Sequence, residues 1–168
     1  MIENSENKVF NHAVFLLSRR DYTTHELKQK LVVKFVRSDK SKIENAHVFI
    51  EQAITKISEY GYLNDARYCE SFIRMSAGKY RGKTRIKNEL KFKGVNNQLI
   101  ENAFNACEID WFELATVCLE RKLGNTSMHE VLSDHKLKSK YFRFLMSRGF
   151  NSEEIQNAMD ELKHQHSE

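Results

Sequence analysis

The sequence predicts an all-α protein, and three observations carry that prediction. The 168 residues contain no proline and only six glycines, in a composition rich in Lys, Glu, Leu, Asn and Ala that leaves few places where a helix must break. Apolar residues recur at spacings of three and four, which lines them up on one face of successive helices. The pattern also repeats. A shift of 55 residues lays Ile86, Leu90, Gly94, Val95, Asn96, Ile100, Asn102 and Ala103 on Tyr141, Leu145, Gly149, Phe150, Asn151, Ile155, Asn157 and Ala158. Glycine suits the place where one helix closes left-handed, and asparagine the place where the next is capped.

The first third follows the same scheme less closely. Leu27 and Leu31 fall on Ile86 and Leu90 at an offset of 59, Glu51 and Ala53 fall on Glu101 and Ala103 at an offset of 50, and an insertion over residues 37–45 accounts for the difference. Phe35 stands where the later copies have glycine. The expected architecture is three tandem three-helix repeats, residues 1–63, 64–109 and 110–168. Each has little core of its own, so neighbours must pack on one another in an elongated, curved array.

Taken in order, Val9 to Ser18 reads as an amphipathic helix after a frayed start. Thr23, with Glu26 three residues on, forms a capping-box pattern that opens a helix carrying Leu27, Leu31 and Phe35. Residues 37–45 have loop composition. A third helix with Ile50, Ala53, Ile54 and Ile57 inward stops at Gly61. Residues 64–77 form a fourth, with Ala66, Cys69, Phe72 and Ile73 inward. Gly78 and Gly82 bracket the turn into a basic fifth helix that Gly94 ends, and Asn96 caps the sixth. Trp111 to Leu119 marks a seventh, ended by Gly124. Residues 125–135 read as a loop from which Val131 and Leu132 dock on the core. An eighth helix holds Tyr141, Phe142 and Leu145, and a ninth holds Ile155, Ala158, Met159 and Leu162.

Hydrophobic content of 40% with 30% charged residues excludes wholesale disorder. The chain has no 18-residue apolar run, and its first ten residues are polar and acidic where a signal peptide is basic and then apolar. A cytoplasmic protein without a membrane partner is expected. Cys69, Cys107 and Cys118 have no CxxC spacing and lie within apolar helical patterns, as buried thiols do. His164 and His166 in the polar tail are assigned no role, and no metal or other cofactor is implied.

Charge is unevenly distributed. Residues 64–107 hold nine Lys and Arg against four Asp and Glu, whereas residues 108–168 hold eight against eleven. The excess concentrates in Lys79 to Val95, where Lys79, Arg81, Lys83, Arg85, Lys87, Lys91 and Lys93 face one acid, Glu89. Lys83, Lys87 and Lys91 run along one helix face while Ile86 and Leu90 share another. Like charges at that spacing repel by a few tenths of a kcal/mol per pair, about 0.2–0.5 in isolated helices, and an anionic partner such as a phosphate backbone relieves it. A solvated surface is the plain alternative for any basic run. A basic middle with an acidic last third fits a protein that touches a nucleic acid and another protein together.

Residues 78–84, GKYRGKT, imitate a phosphate-binding loop but have three residues between the glycines where that loop has four, and they follow a helical segment instead of a buried strand. No His–Ser–acid set, HExxH motif or nucleophile elbow is present. Nothing in the residues points to an enzyme.

Four blocks in order, LLSRRDYTTHELKQKL, EYGYLNDARYCESFI, GKTRIKNELKFKGV and FLMSRGFNSEEIQNAM, resemble the signature blocks of the bacterial RecX family of recombination regulators, over Val9 to Leu162. The resemblance implies a non-enzymatic protein of tandem three-helix repeats that binds the recombinase RecA. It implies docking along the groove of the RecA–DNA filament, inhibition of ATP hydrolysis and strand exchange, limited filament growth, and contact with single- and double-stranded DNA. A monomer is expected.

Carried onto this sequence, the family's basic segment makes Arg81, Lys83, Arg85, Lys87 and Lys91 the leading DNA or filament contacts, flanked by Lys79 and Lys93. Arg19 and Arg20, at a helix end, either join that surface or cap the preceding carbonyls. Tyr62, Leu63 and Asp65 read as a junction between repeats. Tyr80 and Phe92 are placed either to stack on bases or, for Phe92, in the core. Two other readings use the same residues. A helix-turn-helix-like transcriptional repressor would show sharp preference for one duplex, and a protein-only helical scaffold would show no DNA binding at low salt.

Overall fold

The computed structural model describes residues 2–165, and among them every regular element is helical. His166 lies outside the described residues. Helix α1 spans Ile2–Leu17, starting more than a turn before Val9, because no glycine or proline stops it from propagating towards the N-terminus. Helix α2, Thr24–Val32, begins at the expected capping box. Thr23 Oγ1 accepts from the Glu26 N–H at 3.1 Å, and the Thr23 N–H donates to Glu26 Oε2 at 3.3 Å. Lacking a glycine, its end widens into a π-helical turn, Val33–Arg37, that carries Phe35 into the core.

After the loop, Asn45 takes a left-handed conformation (φ 57°) and leads into α3, Ala46–Glu59. Helix α4 spans Asp65–Ala77, α5 Lys83–Phe92 and α6 Asn97–Ala106. The GKYRGKT segment is the turn from α4 into α5. Asn96 caps α6, accepting from the Gln98 N–H at 2.7 Å. Cys69, Phe72 and Ile73 are buried as expected, while Ala66 is exposed.

Helix α7, Trp111–Leu123, is capped by Asp110. Residues 128–133, expected from their composition to be part of a loop, form a short helix, α8 (Met128–Ser133). Ser127 Oγ accepts from the Glu130 N–H at 3.2 Å, and Met128 and Val131 are buried, so a cap and two apolar anchors outweigh the polar composition. Helix α9, His135–Arg148, follows at once and is capped by Asp134. Asn151 and Glu154 form a capping box at the start of α10, Ser152–Gln165, with both bonds at 2.8 Å. Glu154 is buried. Desolvation pushes its carboxyl up, against the lowering effect of the Asn151 N–H and of Lys83.

By internal contacts the chain divides into two units, residues 1–70 with 90–103 and residues 71–89 with 104–168. The core of the first includes Val9, Leu27, Leu31, Phe35, Ile50, Ile57 and Leu63. That of the second includes Leu119, Met128, Val131, Leu145, Phe150, Ile155 and Met159.

The same joint is built inside each unit. In the first, Thr23 Oγ1 donates to the Lys93 carbonyl at 2.6 Å, and Gly94 (φ 75°) lies so close to α2 that a Cβ there would sit 2.4 Å from the His25 Cβ. In the second, the Gly82 N–H donates to the Arg148 carbonyl at 2.8 Å and the Thr84 N–H to the Gly149 carbonyl at 3.1 Å. A Cβ on Gly149 (φ 98°) would sit 2.6 Å from the Arg85 nitrogen. The offsets that align the repeats, 55 and 59, carry one joint onto the other: Lys93 and Gly94 onto Arg148 and Gly149, and Thr23 onto Gly82. Glycine is needed here twice over, for the left-handed turn and for close packing.

Candidate nucleic-acid interface

The nine cations singled out by the sequence are not equivalent in the fold. In the second unit, Arg81 Nη1 and Arg85 Nε hold the two carboxylate oxygens of Glu89 at 2.7 and 2.9 Å. Arg85 also donates to the Ser147 carbonyl at 3.3 Å. Both guanidinium groups are therefore fixed within the unit, two positive charges on one acid. Lys83 and Lys87, one turn apart on α5, bring their ammonium groups to 5.5 and 5.4 Å from the centroid of the Phe104 ring. A shared aromatic face offsets part of their repulsion, each contact being worth about 0.5–1 kcal/mol at a partly exposed site. Lys79 is exposed and has no side-chain partner among the described residues. Its carbonyl accepts from Arg148.

In the first unit, Lys93 Nζ lies 2.8 Å from Glu26 Oε1 and Arg20 Nη2 lies 3.6 Å from the same oxygen. The Arg20 guanidinium also covers the Tyr22 ring at 3.6 Å, and Arg19 covers Phe15 at 4.9 Å. Just past the end of α1, Ser18 Oγ donates to the Phe15 carbonyl at 2.8 Å. Lys91 is exposed with no side-chain partner among the described residues. Phe92 beside it is 91% exposed, so it is not a core residue.

The aromatic pair thus separates. Tyr80 is half-buried against the second core, with the Arg121 guanidinium 4.8 Å from its ring and a backbone φ of 54°. Phe92 has no packing role and presents a bare face between two lysines. The Tyr62 to Asp65 block separates as well. Leu63 is buried and Asp65 Oδ1 accepts from the Thr24 N–H at 2.8 Å and from its hydroxyl at 3.1 Å, whereas Tyr62 is on the surface.

Glu26 gathers three duties: the cap of α2, Lys93 and Arg20. Burial alone would raise its carboxyl. Hydrogen bonds from Lys93 and the Thr23 N–H, with the charges of Lys93 and Arg20, outweigh burial and leave it below its ordinary value. Lys93 mirrors this, burial lowering it and its bonds to Glu26 and Tyr68 leaving it above. A lowered carboxyl contributes stability above its unfolded value, lost as pH falls through the folded one. A raised ammonium contributes below its unfolded value, lost as pH rises through the folded one. Glu26→Gln is expected to cost about 1 kcal/mol near neutrality and to flatten the loss of stability between neutral and acid pH, read by thermal melts across that range. A parallel fall of variant and parent in acid would remove the pair from the account.

Neither buried thiol is poised to react. Burial pushes the Cys69 thiol up to about 11, with Asp65 and Glu70 adding, and raises Cys118. Cys107 is partly exposed and donates to the Phe104 carbonyl.

Models of known families match two stretches of the chain, "RecX, second three-helix domain" over residues 64–103 and "RecX, third three-helix domain" over residues 108–159. The chain belongs to the RecX family. The RecX regulatory protein of Vibrio vulnificus is 40% identical over 149 residues, and that of Haemophilus ducreyi 37% over 150, each alignment covering 89% of both chains. A crystal structure of RecX from Lactobacillus salivarius superposes with a TM-score of 0.75 at 23% identity, covering 96% of this chain and 99% of that one, which establishes the shared fold. As a member of a regulatory family, the chain is not an enzyme. Among the described residues no helix is long and apolar enough to cross a membrane.

The RecX-family repeat also exposes a group that the sequence reading passed over. Helix α9 carries Lys136, Lys138, Lys140, Arg143 and Arg148 and no acid. Averaging charge over residues 108–168 hid it beneath the acids of α10; counting charge helix by helix would have found it.

Proposed function

We propose that this RecX-family protein binds RecA and its DNA filament and lowers RecA's ATP hydrolysis, filament growth and strand exchange, acting by occupancy in the filament groove. Three tandem three-helix repeats, residues 1–63, 64–109 and 110–168, supply the body. The basic segment around α5 faces DNA or filament, and the acidic C-terminal repeat faces protein. Both single- and double-stranded DNA are partners, and the protein acts as a monomer in the cytoplasm.

The observation that carries this reading is the bare aromatic ring of Phe92, 91% exposed beside the exposed Lys91 in the most basic stretch of a RecX-family chain. Folding buries almost none of that ring, and among lysines it is placed as a stacking surface for a base. Titrating the protein into RecA hydrolysing ATP on single-stranded DNA tests it. The expected result is loss of hydrolysis at protein well below the RecA concentration and with DNA in excess. No loss, or a loss that added DNA abolishes, would leave a general nucleic-acid binder and overturn the reading.

A further inference from the structure

We propose that helix α9 is a second, separate phosphate-binding face, built to lie against the sugar-phosphate backbone of a nucleic acid. The inference rests on the functional reading above and adds a site in the second unit to the segment around α5.

Five cations without a carboxylate occupy fourteen residues of α9. Its neighbours in the same unit differ. Helix α7 mixes Glu113 and Glu120 with Arg121 and Lys122, and α10 sets Glu153, Glu154, Asp160 and Glu161 against Lys163. Of the three, only α9 carries a single sign, where an ordinary solvated surface intersperses the two. Lys136, Lys140 and Arg143 are all exposed and, at spacings of four and three, share one face. Their repulsion is unrelieved by any ion pair among the described residues.

Beside them the surface forms an open hollow of about 680 Å³ lined by His135, Lys136, Lys138, Ser139, Phe142 and Arg143. Donors at its rim and an aromatic ring at its wall suit a phosphate with its sugar better than a flat protein contact. The repeat gives the same answer independently. The 55-residue shift lays Lys83 on Lys138 and Arg85 on Lys140, so α9 occupies the position of α5 within its own repeat.

The test is the variant Lys136→Glu with Lys140→Glu and Arg143→Glu in the full chain, measured by anisotropy on a random-sequence duplex through a salt titration. The expected result is affinity down by tenfold or more and a salt slope shallower by roughly two to three, at about 0.9 per phosphate contact. A glutamine triple variant repeats the measurement should the reversal fail to fold. Unchanged duplex affinity and slope, while Lys83→Glu with Lys87→Glu loses both, would overturn the second face and leave the function standing. Unchanged duplex binding with weakened binding to DNA-free RecA would also overturn it, assigning α9 to an acidic protein surface. If neither variant alters duplex binding, the α9 face falls, and the RecA titration above decides the functional reading by itself.

Discussion

Gly149→Ala is expected to destabilise the protein by about 3 kcal/mol or more, a drop in melting temperature of roughly 6–12 °C for a chain of this size. Two costs combine. A residue with a Cβ at φ 98° is strained, and that Cβ would lie 2.4 Å from the Arg85 Cβ and 2.6 Å from its backbone nitrogen. Backbone cannot rotate aside as a side-chain tip can, so α5 and the end of α9 must separate. Gly61→Ala is the matched control. It has the same kind of backbone (φ 73°) with nothing within 4 Å of the added atom, so only the strain of about 1 kcal/mol remains. Equal losses in the two variants, read by circular dichroism melts, would show that the close approach at Gly149 is not part of the folded state.

Lys83→Glu with Lys87→Glu is expected to weaken nucleic-acid binding by tenfold or more and to make the salt slope shallower by roughly 1.4 on single strands and 1.8 on duplex, at about 0.7 and 0.9 per contact. Inhibition of RecA's ATP hydrolysis should fall with it. Removing both ammonium groups from the Phe104 ring costs about 1–2 kcal/mol of stability, so far-ultraviolet circular dichroism at low temperature should keep its helical signal. Glutamine at both positions separates loss of positive charge from added repulsion. A salt slope equal to that of the parent would exclude these two lysines from the phosphate contacts.

What the sequence made legible was local. The capping box at Thr23, the asparagine cap at Asn151, the left-handed glycines at 94 and 149 and the buried rows such as Leu27 and Leu31 each depend on residues within a turn or two, and each stands in the structure. Even α8 had its signal, a serine three residues before Glu130, overlooked because polar neighbours surrounded it. The condition of the basic residues was not legible. Whether Lys93 is engaged depends on Glu26, 67 residues away in sequence, and whether Arg81 is engaged depends on which rotamers let two arginines reach Glu89. Seven cations in seventeen residues looked alike on paper. Folding sorted them into those tied to carboxylates, those resting on an aromatic ring, and Lys79 and Lys91 at the surface.

The twin joints have a kinetic meaning. Their bonds join residues 65 to 70 apart in sequence, whereas the helices they connect are held by bonds within a turn. Closing so long a loop costs entropy before any contact rewards it, so these seams form late, after the helices have been made. A defect confined to a late seam leaves the rate of folding nearly untouched and appears as faster unfolding. The lifetime of the native state is thereby tuned at two glycines, Gly94 and Gly149, each set beside cations proposed to meet a partner.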